Sequence, residues 1–449
     1  MAGREGRGAH RRSRRSHRSD EMTSSSDAGD SETTETTGTA TATTTAAAAS
    51  APVTRRQRRK AAKGRKRRKR SWLDRVLLTG VILVVLALAA LGSGYAYLQY
   101  RYNQVAKVTV PHLRVAPVGQ PFNVLLIGSD SRVGETSAQA QHLGTVAATA
   151  GQRSDVVKIV HIVPATGQAS VLSIPRDTMV TVAGNTEDTG LYNRINSTYG
   201  SGPDQLVQTI ETNFGIPINH VVQIDFAGFR GAVDALGGIY LDFPYPAKDT
   251  YTGLNITQAG CQHVNGGYSL AVARSRHYQY FEDGYWHDDP TSDLGRIQRQ
   301  NAFLKALINQ AEKDYDPLTI NSVINSIVHS VTVDSTFTFK DLADLANEFH
   351  TFSSNSLATA TLPTYTAASS EFASLGDVLY VDQSLAGPVI RQFLGGSAEV
   401  ALTPPPGPYG SVSTSTTTTY PSQGGTTPPT SAETSTTTTI DTSFDPTPC

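Results

Sequence analysis

The chain has 449 residues, 38% of them apolar, and a formal net charge of −1, so it is neither a wholly unfolded polyelectrolyte nor a uniformly basic nucleic-acid binder. Two cysteines are too few for a disulfide-dense scaffold, and they argue against a thiolate metal centre. The near-neutral total hides a split: residues 1–75 hold 20 of the 38 Lys and Arg but only 8 of the 39 Asp and Glu, leaving 18 basic against 31 acidic groups beyond them.

Residues 1–75 read as a disordered basic cytoplasmic tail. Positions 20–54 are rich in Ser, Thr, Ala and acids, with almost no large apolar side chains, and cannot bury enough surface to fold. The run RRQRRKAAKGRKRRKR from Arg55 to Arg70 abuts VLLTGVILVVLALAALGSGYAYL, residues 76–98, an uncharged stretch long enough at helical rise to cross a bilayer. Basic residues on that flank place the N-terminus in the cytoplasm and the rest of the chain outside. About 75 polar residues precede the span, unlike a cleaved signal peptide, so the anchor is expected to be retained. Beside such a span, a basic run fixes topology and touches anionic lipid; no DNA-reading module accompanies it, and no nucleic-acid partner is expected.

A stem over 99–110 leads into residues 111–402, whose ordinary globular composition suffices for one sizeable core. Apolar, β-branched runs at Phe122–Ile127, Val156–Val163, Ala169–Ile174, Val221–Ile224 and Gly238–Phe243 read as strands, several too continuously apolar to have a wet face. Helical periodicity fits Pro203–Phe214, Phe226–Leu236, Gly266–Ala273, Leu294–Gln310, Ile320–Val331 and Phe339–Phe349. Strands alternating with helices predict an α/β class and a single α/β/α sandwich. Residues 403–449, with TPPPGPYG and STSTTTTYP, favour extended conformations without a core and read as a Thr/Pro-rich disordered tail. Cys261 and Cys449 both fall beyond the span, where oxidising conditions permit a disulfide; two free thiols fit the sequence equally well.

Charged pairs recur at the strand ends. The first strand closes on GSDSR, delivering Asp130 and Arg132 to its carboxyl edge, where open α/β sheets place ligands. Arg153 and Asp155 flank Ser154 before the second strand, and SIPRDT puts Arg176 and Asp177 after the third. Arg194 follows in YNRIN; Arg274 and Arg276 end the run YSLAVARSR. TSDLGRIQRQ supplies Thr291 or Ser292 as N-cap, then Asp293, Arg296, Arg299 and Gln300 on a helix. Any one pair reads most simply as an internal salt bridge. Together, forked guanidiniums matched to phosphate oxygens and carboxylates able to hold a hard cation point to a magnesium and diphosphate site. The segment HYQYFEDGYWHDDPTSD, rich in Tyr, Trp and His, reads first as a packed loop and second as a sugar-stacking surface.

The ordered set FNVLLIGSDSR, RSD at Arg153–Asp155, LSIPRDT, YNRIN, VDALGG, SLAVARSRHY and SDLGRIQRQ resembles the LytR-CpsA-Psr family of cell-wall glycopolymer ligases. The resemblance implies an α/β/α domain whose apolar pocket takes a polyprenyl tail. It also implies transfer of a glycopolymer from polyprenyl diphosphate to the C6 hydroxyl of N-acetylmuramic acid in peptidoglycan, forming a phosphodiester. Carried over by position, Asp130 and Asp155 are the expected Mg2+ ligands, with Asp293 supporting the metal or orienting an arginine. Arg153, Arg176, Arg274, Arg276, Arg296 and Gln300 are the expected diphosphate contacts, and Arg194 and Arg299 join them from the residue pattern. Arg194 stands where the family more often has lysine, which changes its hydrogen-bond geometry. Asp130, Asp155, Arg153 and Arg176 form the expected catalytic set. Hydrolysis of polyprenyl diphosphates and non-catalytic carrier binding remain the alternatives, and teichoic acid, arabinogalactan and capsule all remain open as the polymer.

Overall fold

The computed structural model describes residues 72–129, 154–184, 192–313, 316–348, 352–367, 376–396, 400, 402–404, 411–414 and 442–449. It divides into a small unit, Met1–Leu78, and a large one, Thr79–Cys449. Helix α1 covers Trp72–Tyr102, and Thr79–Tyr102 within it, at mean hydropathy 2.2, is long and apolar enough to cross a membrane. Its last turns are amphipathic in role: the Tyr95 ring meets Phe339 edge-on at 5.2 Å, and the Tyr97 hydroxyl donates to Asn321 Oδ1 at 2.8 Å.

The centre of the large unit is a mixed sheet of seven strands: β1 (Ala106–Val108), β2 (Phe122–Ser129), β3 (Ser154–Val163), β4 (Gln168–Ile174), β5 (His220–Ile224), β6 (Val331–Asp334) and β7 (Leu357–Thr361). Their spatial order is β1-β6-β5-β2-β3-β4-β7; β2, β3 and β4 are antiparallel neighbours, while β5 runs parallel to β2 and β7 to β4. Alternation of side chains sends Leu125, Ile127, Val157, Ile159, Leu172 and Ile174 to one face. There they form a core with α2 (Pro203–Phe214) and the helix Gln383–Phe393, through Leu206, Ile210, Phe214, Ala386, Ile390 and Phe393.

Helices α3 (Phe226–Ala235), α4 (Gly266–Arg274), α5 (Asp293–Lys313), α6 (Pro317–Ile327) and α7 (Phe339–Glu348) complete the main helical set. Lys158 and Ser173 point from β3 and β4 away from the first core and reach Asn301 on α5, at 2.7 and 3.3 Å, so helices lie on both faces of the sheet as expected. A second core gathers Val233, Val272 and Phe303 with a three-stranded sheet of Gly260–Val264, Ile239–Phe243 and Thr447–Pro448. Gly266 belongs here because a side chain would run into the backbone of Arg230, where α4 approaches α3.

Three expectations change. Gly238–Phe243 is a strand over Ile239–Phe243 but pairs outside the central sheet. The helix expected over Ile320–Val331 covers Pro317–Ile327: Asp316 caps its start by accepting from Leu318 and Thr319 N–H, and Val331 begins β6 instead. The region 403–449 is not core-free throughout. Ser411–Thr414 pairs with Thr364–Ala367, and residues 442–449 are docked, with Phe444 in the second core and Cys449 disulfide-bonded to Cys261. Of the two states open for these cysteines, the bridged one is present.

Candidate functional site

The turn after β4 is built by Pro175, which closes the strand, and by Thr178, whose N–H and hydroxyl both donate to the Pro175 carbonyl, at 3.1 and 2.6 Å. That turn aims Arg176 and Asp177 across the sheet end. The backbone of Asn196 donates to the Arg176 carbonyl at 3.1 Å, which brings Arg194, just ahead of it, onto the same turn. Asp177 then accepts from both arginines, Arg176 Nε and Arg194 Nη1, each at 3.2 Å. Arg176 Nη1 also donates to Asp155 Oδ1 at 2.8 Å, at the start of β3.

The second half of the cluster centres on Asp293 in the first turn of α5. Its Oδ1 lies 2.8 Å from Arg296 Nη2, 3.4 Å from Arg276 Nε and 3.8 Å from Arg176 Nε. Arg296 Nη2 further donates to the Asp155 carbonyl at 3.2 Å. Thus Asp155, Arg176, Asp177, Arg194, Arg276, Asp293 and Arg296, contributed by a strand start, a turn, a helix end and a helix start, form one connected ionic patch. Burial of Arg296 lowers its guanidinium pKa, and Asp293 opposes this; burial of Arg176 acts in the same direction, but the three carboxylates beside it together outweigh burial and raise its pKa. Four guanidiniums meet three carboxylates, so the patch carries surplus positive charge suited to a multivalent anion.

Both Asp293 oxygens are buried without a hydrogen bond; Oδ1 takes the three ion pairs, and Oδ2 takes none among the described residues. An acceptor in that condition suits a hard cation, which binds through one or two carboxylates plus substrate phosphates. Asp293 Oδ2 meets that condition, whereas Asp155 Oδ1 already accepts from Arg176 at 2.8 Å. Among the described residues no group of three or more His, Cys, Asp or Glu gathers to make an all-protein metal cage.

The other expected site residues divide. Asp130, Arg132 and Arg153 lie outside the described residues. Arg274 lies over the Phe226 ring, 4.5 Å from its centroid. Gln300 donates to the Ala273 carbonyl at 3.1 Å and ties α5 to α4. Arg299 is not brought to the patch. It is fully buried, donating to Asp289 Oδ2 at 2.8 Å, Asp445 Oδ1 at 2.6 Å and the Ser275 carbonyl at 3.0 Å, over the Tyr278 ring. Gly295 is required beside it, since a side chain there would strike Asp289, Thr291 and Arg299 itself.

Lys158 was not foreseen as a candidate. It is buried on β3, donating to Ser173 Oγ at 2.6 Å and Asn301 Oδ1 at 2.7 Å, and burial with Arg296 nearby draws its pKa down to about 7. A single lysine inside the apolar run VVKIVHIV was the available signal. The hairpin Gln279–Glu282 and Tyr285–Asp288 was also missed, although Asp283-Gly284 between two aromatic runs is a strong two-residue turn sequence.

A model of the LytR_cpsA_psr family matches residues 94–383. A probable cell wall biosynthesis protein, LcpB of Corynebacterium glutamicum, is 34% identical over 215 residues, 47% of this chain and 48% of that one. The polyisoprenyl-teichoic acid–peptidoglycan teichoic acid transferase TagV of Bacillus subtilis is 34% identical over 198 residues, 42% of this chain and 44% of its own. The chain thus spans about half the length of these curated relatives. A LytR-Csp2A-Psr enzyme from Actinomyces oris superposes with a TM-score of 0.50 at 25% identity, covering 64% of this chain and 95% of that structure.

Proposed function

The chain belongs to the LytR-CpsA-Psr family, and from that premise we propose that it is a membrane-anchored phosphotransferase. It moves a glycopolymer from a polyprenyl-diphosphate carrier to the C6 hydroxyl of N-acetylmuramic acid in peptidoglycan, leaving a phosphodiester. Relatives named as teichoic acid–peptidoglycan transferases support the reaction class. The observation that carries the reading is Asp293 drawing Arg176, Arg276 and Arg296 from three elements within 3.8 Å of one carboxylate oxygen. The basic run before α1 supports a cytoplasmic N-terminus and a catalytic unit on the outer face.

In this reading the diphosphate sits among Arg176, Arg194, Arg276 and Arg296, whose charges neutralise its oxygens and position the phosphorus. The acceptor oxygen bonds to the glycan-linked phosphorus as the bond from that phosphorus to the oxygen of polyprenyl phosphate breaks. The hydroxyl proton passes to a carboxylate. Asp155, with its side chain 30% exposed against 14% for Asp293, is the better placed to receive it. A Mg2+ held by Asp155 and Asp293, with Asp130 as the further expected ligand, would supply added charge to the phosphate oxygens.

The test uses the full chain in lipid nanodiscs with a lipid-linked donor and peptidoglycan glycan chains. Covalent polymer on the acceptor and equimolar polyprenyl phosphate are expected. Chelation should cut the rate by at least about 100-fold, the scale of one lost electrostatic stabiliser, and added Mg2+ should restore it. Release of polyprenyl phosphate with no polymer on the glycan would replace transfer by hydrolysis. A rate indifferent to chelator would remove the metal.

A further inference from the structure

The four-stranded sheet of Leu254–Ile256, Ala247–Asp249, Gln279–Glu282 and Tyr285–Asp288 has two chemically distinct faces. Register puts Gln279 opposite both Lys248 and Asp288, and Phe281 opposite Trp286, so these five side chains share a face. On the other face Tyr280 stacks on Phe444 at 4.5 Å and 2°, which covers the base of that side with the second core, while Tyr285 near the turn stays exposed. The first face remains accessible: Phe281 is 37% and Trp286 39% exposed. Their rings lie 5.3 Å apart, Lys248 Nζ sits 3.9 Å over the Trp286 ring, and Gln279 Nε2 donates to Asp288 Oδ1 at 2.7 Å.

Apolar ring surface bordered by an amide, a carboxylate and an ammonium matches a carbohydrate, whose rings offer C–H faces for stacking and hydroxyls at the edges for hydrogen bonds. Lys248 and Asp288 cancel in charge, so the face suits sugar rings rather than a run of phosphates. Its position narrows the choice. Arg276 stands three residues before the hairpin and Asp293 five after it, and these two side chains meet at 3.4 Å in the ionic patch. The hairpin therefore leaves the diphosphate site and returns to it. Asp283 and Gly284, both at positive φ, form its tight turn, and four strand residues reach about 13 Å from the base. The donor is already held through its diphosphate, whereas an acceptor glycan brings no such group and needs a surface of its own that begins beside the reacting phosphorus.

We propose that the face formed by Lys248, Gln279, Phe281, Trp286 and Asp288 binds the glycan chain of peptidoglycan and delivers its hydroxyl to the patch, an inference that rests on the transfer reaction above. Trp286 is its own probe, because the chain has two tryptophans, Trp72 and Trp286, and a Trp72→Phe background isolates its emission. In full-length protein in nanodiscs, soluble peptide-free glycan chains should shift that emission, and donor polysaccharide released from its carrier should not. Phe281→Ala should weaken the glycan response at least about tenfold and raise the acceptor KM by a similar factor, while Phe281→Tyr, which keeps a ring, should restore both. A shift with the donor polysaccharide alone, or with neither ligand, would overturn the proposal. An intact glycan shift without any transfer would count against the reaction and leave the binding face standing; transfer with an unchanged KM in Phe281→Ala would count against the face alone.

Discussion

Arg299→Met separates scaffold from ligand contact. The wild-type guanidinium is fully buried and balances Asp289 and Asp445 at 2.8 and 2.6 Å. Its loss strands two carboxylates side by side in the second core. Breaking a buried ion pair by removing one partner costs about 3–5 kcal/mol, so the melting temperature should fall by roughly 6–15 °C. The loss should also depend on pH. Burial, with Asp289 adding repulsion, already pushes the Asp445 carboxyl up to about 6 from 3.8, and Arg299 opposes that rise. Without Arg299 the folded form holds a proton more tightly still. Because the folded state then binds more protons than the unfolded one, stability increases as pH falls through this window, and the variant should recover part of its deficit near pH 5 relative to pH 8. The assay is thermal unfolding across pH, run beside donor binding. Arg276→Met, at the half-exposed edge of the patch, provides the contrast: donor affinity lost, melting temperature held within about 2 °C, since exposed pairs contribute little to stability. If Arg299→Met melted like wild type and lost donor affinity as Arg276→Met does, the scaffold role would be refuted.

Lys158→Met should stabilise the fold at neutral and lower pH. The lysine falls from 10.5 to about 7 on folding, so wild-type stability rises with pH between those values as the unfolded state binds the extra proton, and the advantage of the variant should shrink over the same range. The upper bound is about 5 kcal/mol, at about 1.4 kcal/mol per tenfold, and paired unfolding curves at pH 6 and pH 10 test it. Cys449→Ser opens a bridge spanning 188 residues and should cost up to about 5 kcal/mol on the chain-entropy account; equal denaturation midpoints with and without reductant in wild type would contradict that. Gly295→Ala, which drives a methyl into Asp289, Thr291 and Arg299, should destabilise by about 1–3 kcal/mol, read as a lower midpoint in urea.

Local chemistry made much of this molecule legible. Pro203–Phe214 has proline at its start and Gly215 in the left-handed conformation at its end, so both boundaries are written in residues that act at short range. The strand-end pairs likewise announced the start of β3 that carries Asp155 and the turn that carries Arg176. Arg299 was harder, because both arginines are buried and a helix pattern does not tell which of Arg296 and Arg299 enters the ionic patch and which a core completed by residues over a hundred positions later. Asp445 and Phe444 sit in a Thr- and Pro-rich context whose composition says nothing of docking; only the distant Arg299, Tyr278 and Cys261 give them a place. The aromatic hairpin is marked only by the Asp283-Gly284 turn, since its aromatic content fits a packed loop equally well.

The bridge from Cys449 to Cys261, together with the pairing of Ser411–Thr414 against Thr364–Ala367, fastens the Thr/Pro-rich stretch to the folded body at two points. A protease nick between residues 415 and 441 would therefore release nothing: the two fragments would migrate as one species on a non-reducing gel and part only with a thiol. Such a cut would leave the buried Asp445 and Phe444 seated, and with them the helix that presents Asp293 and Arg296.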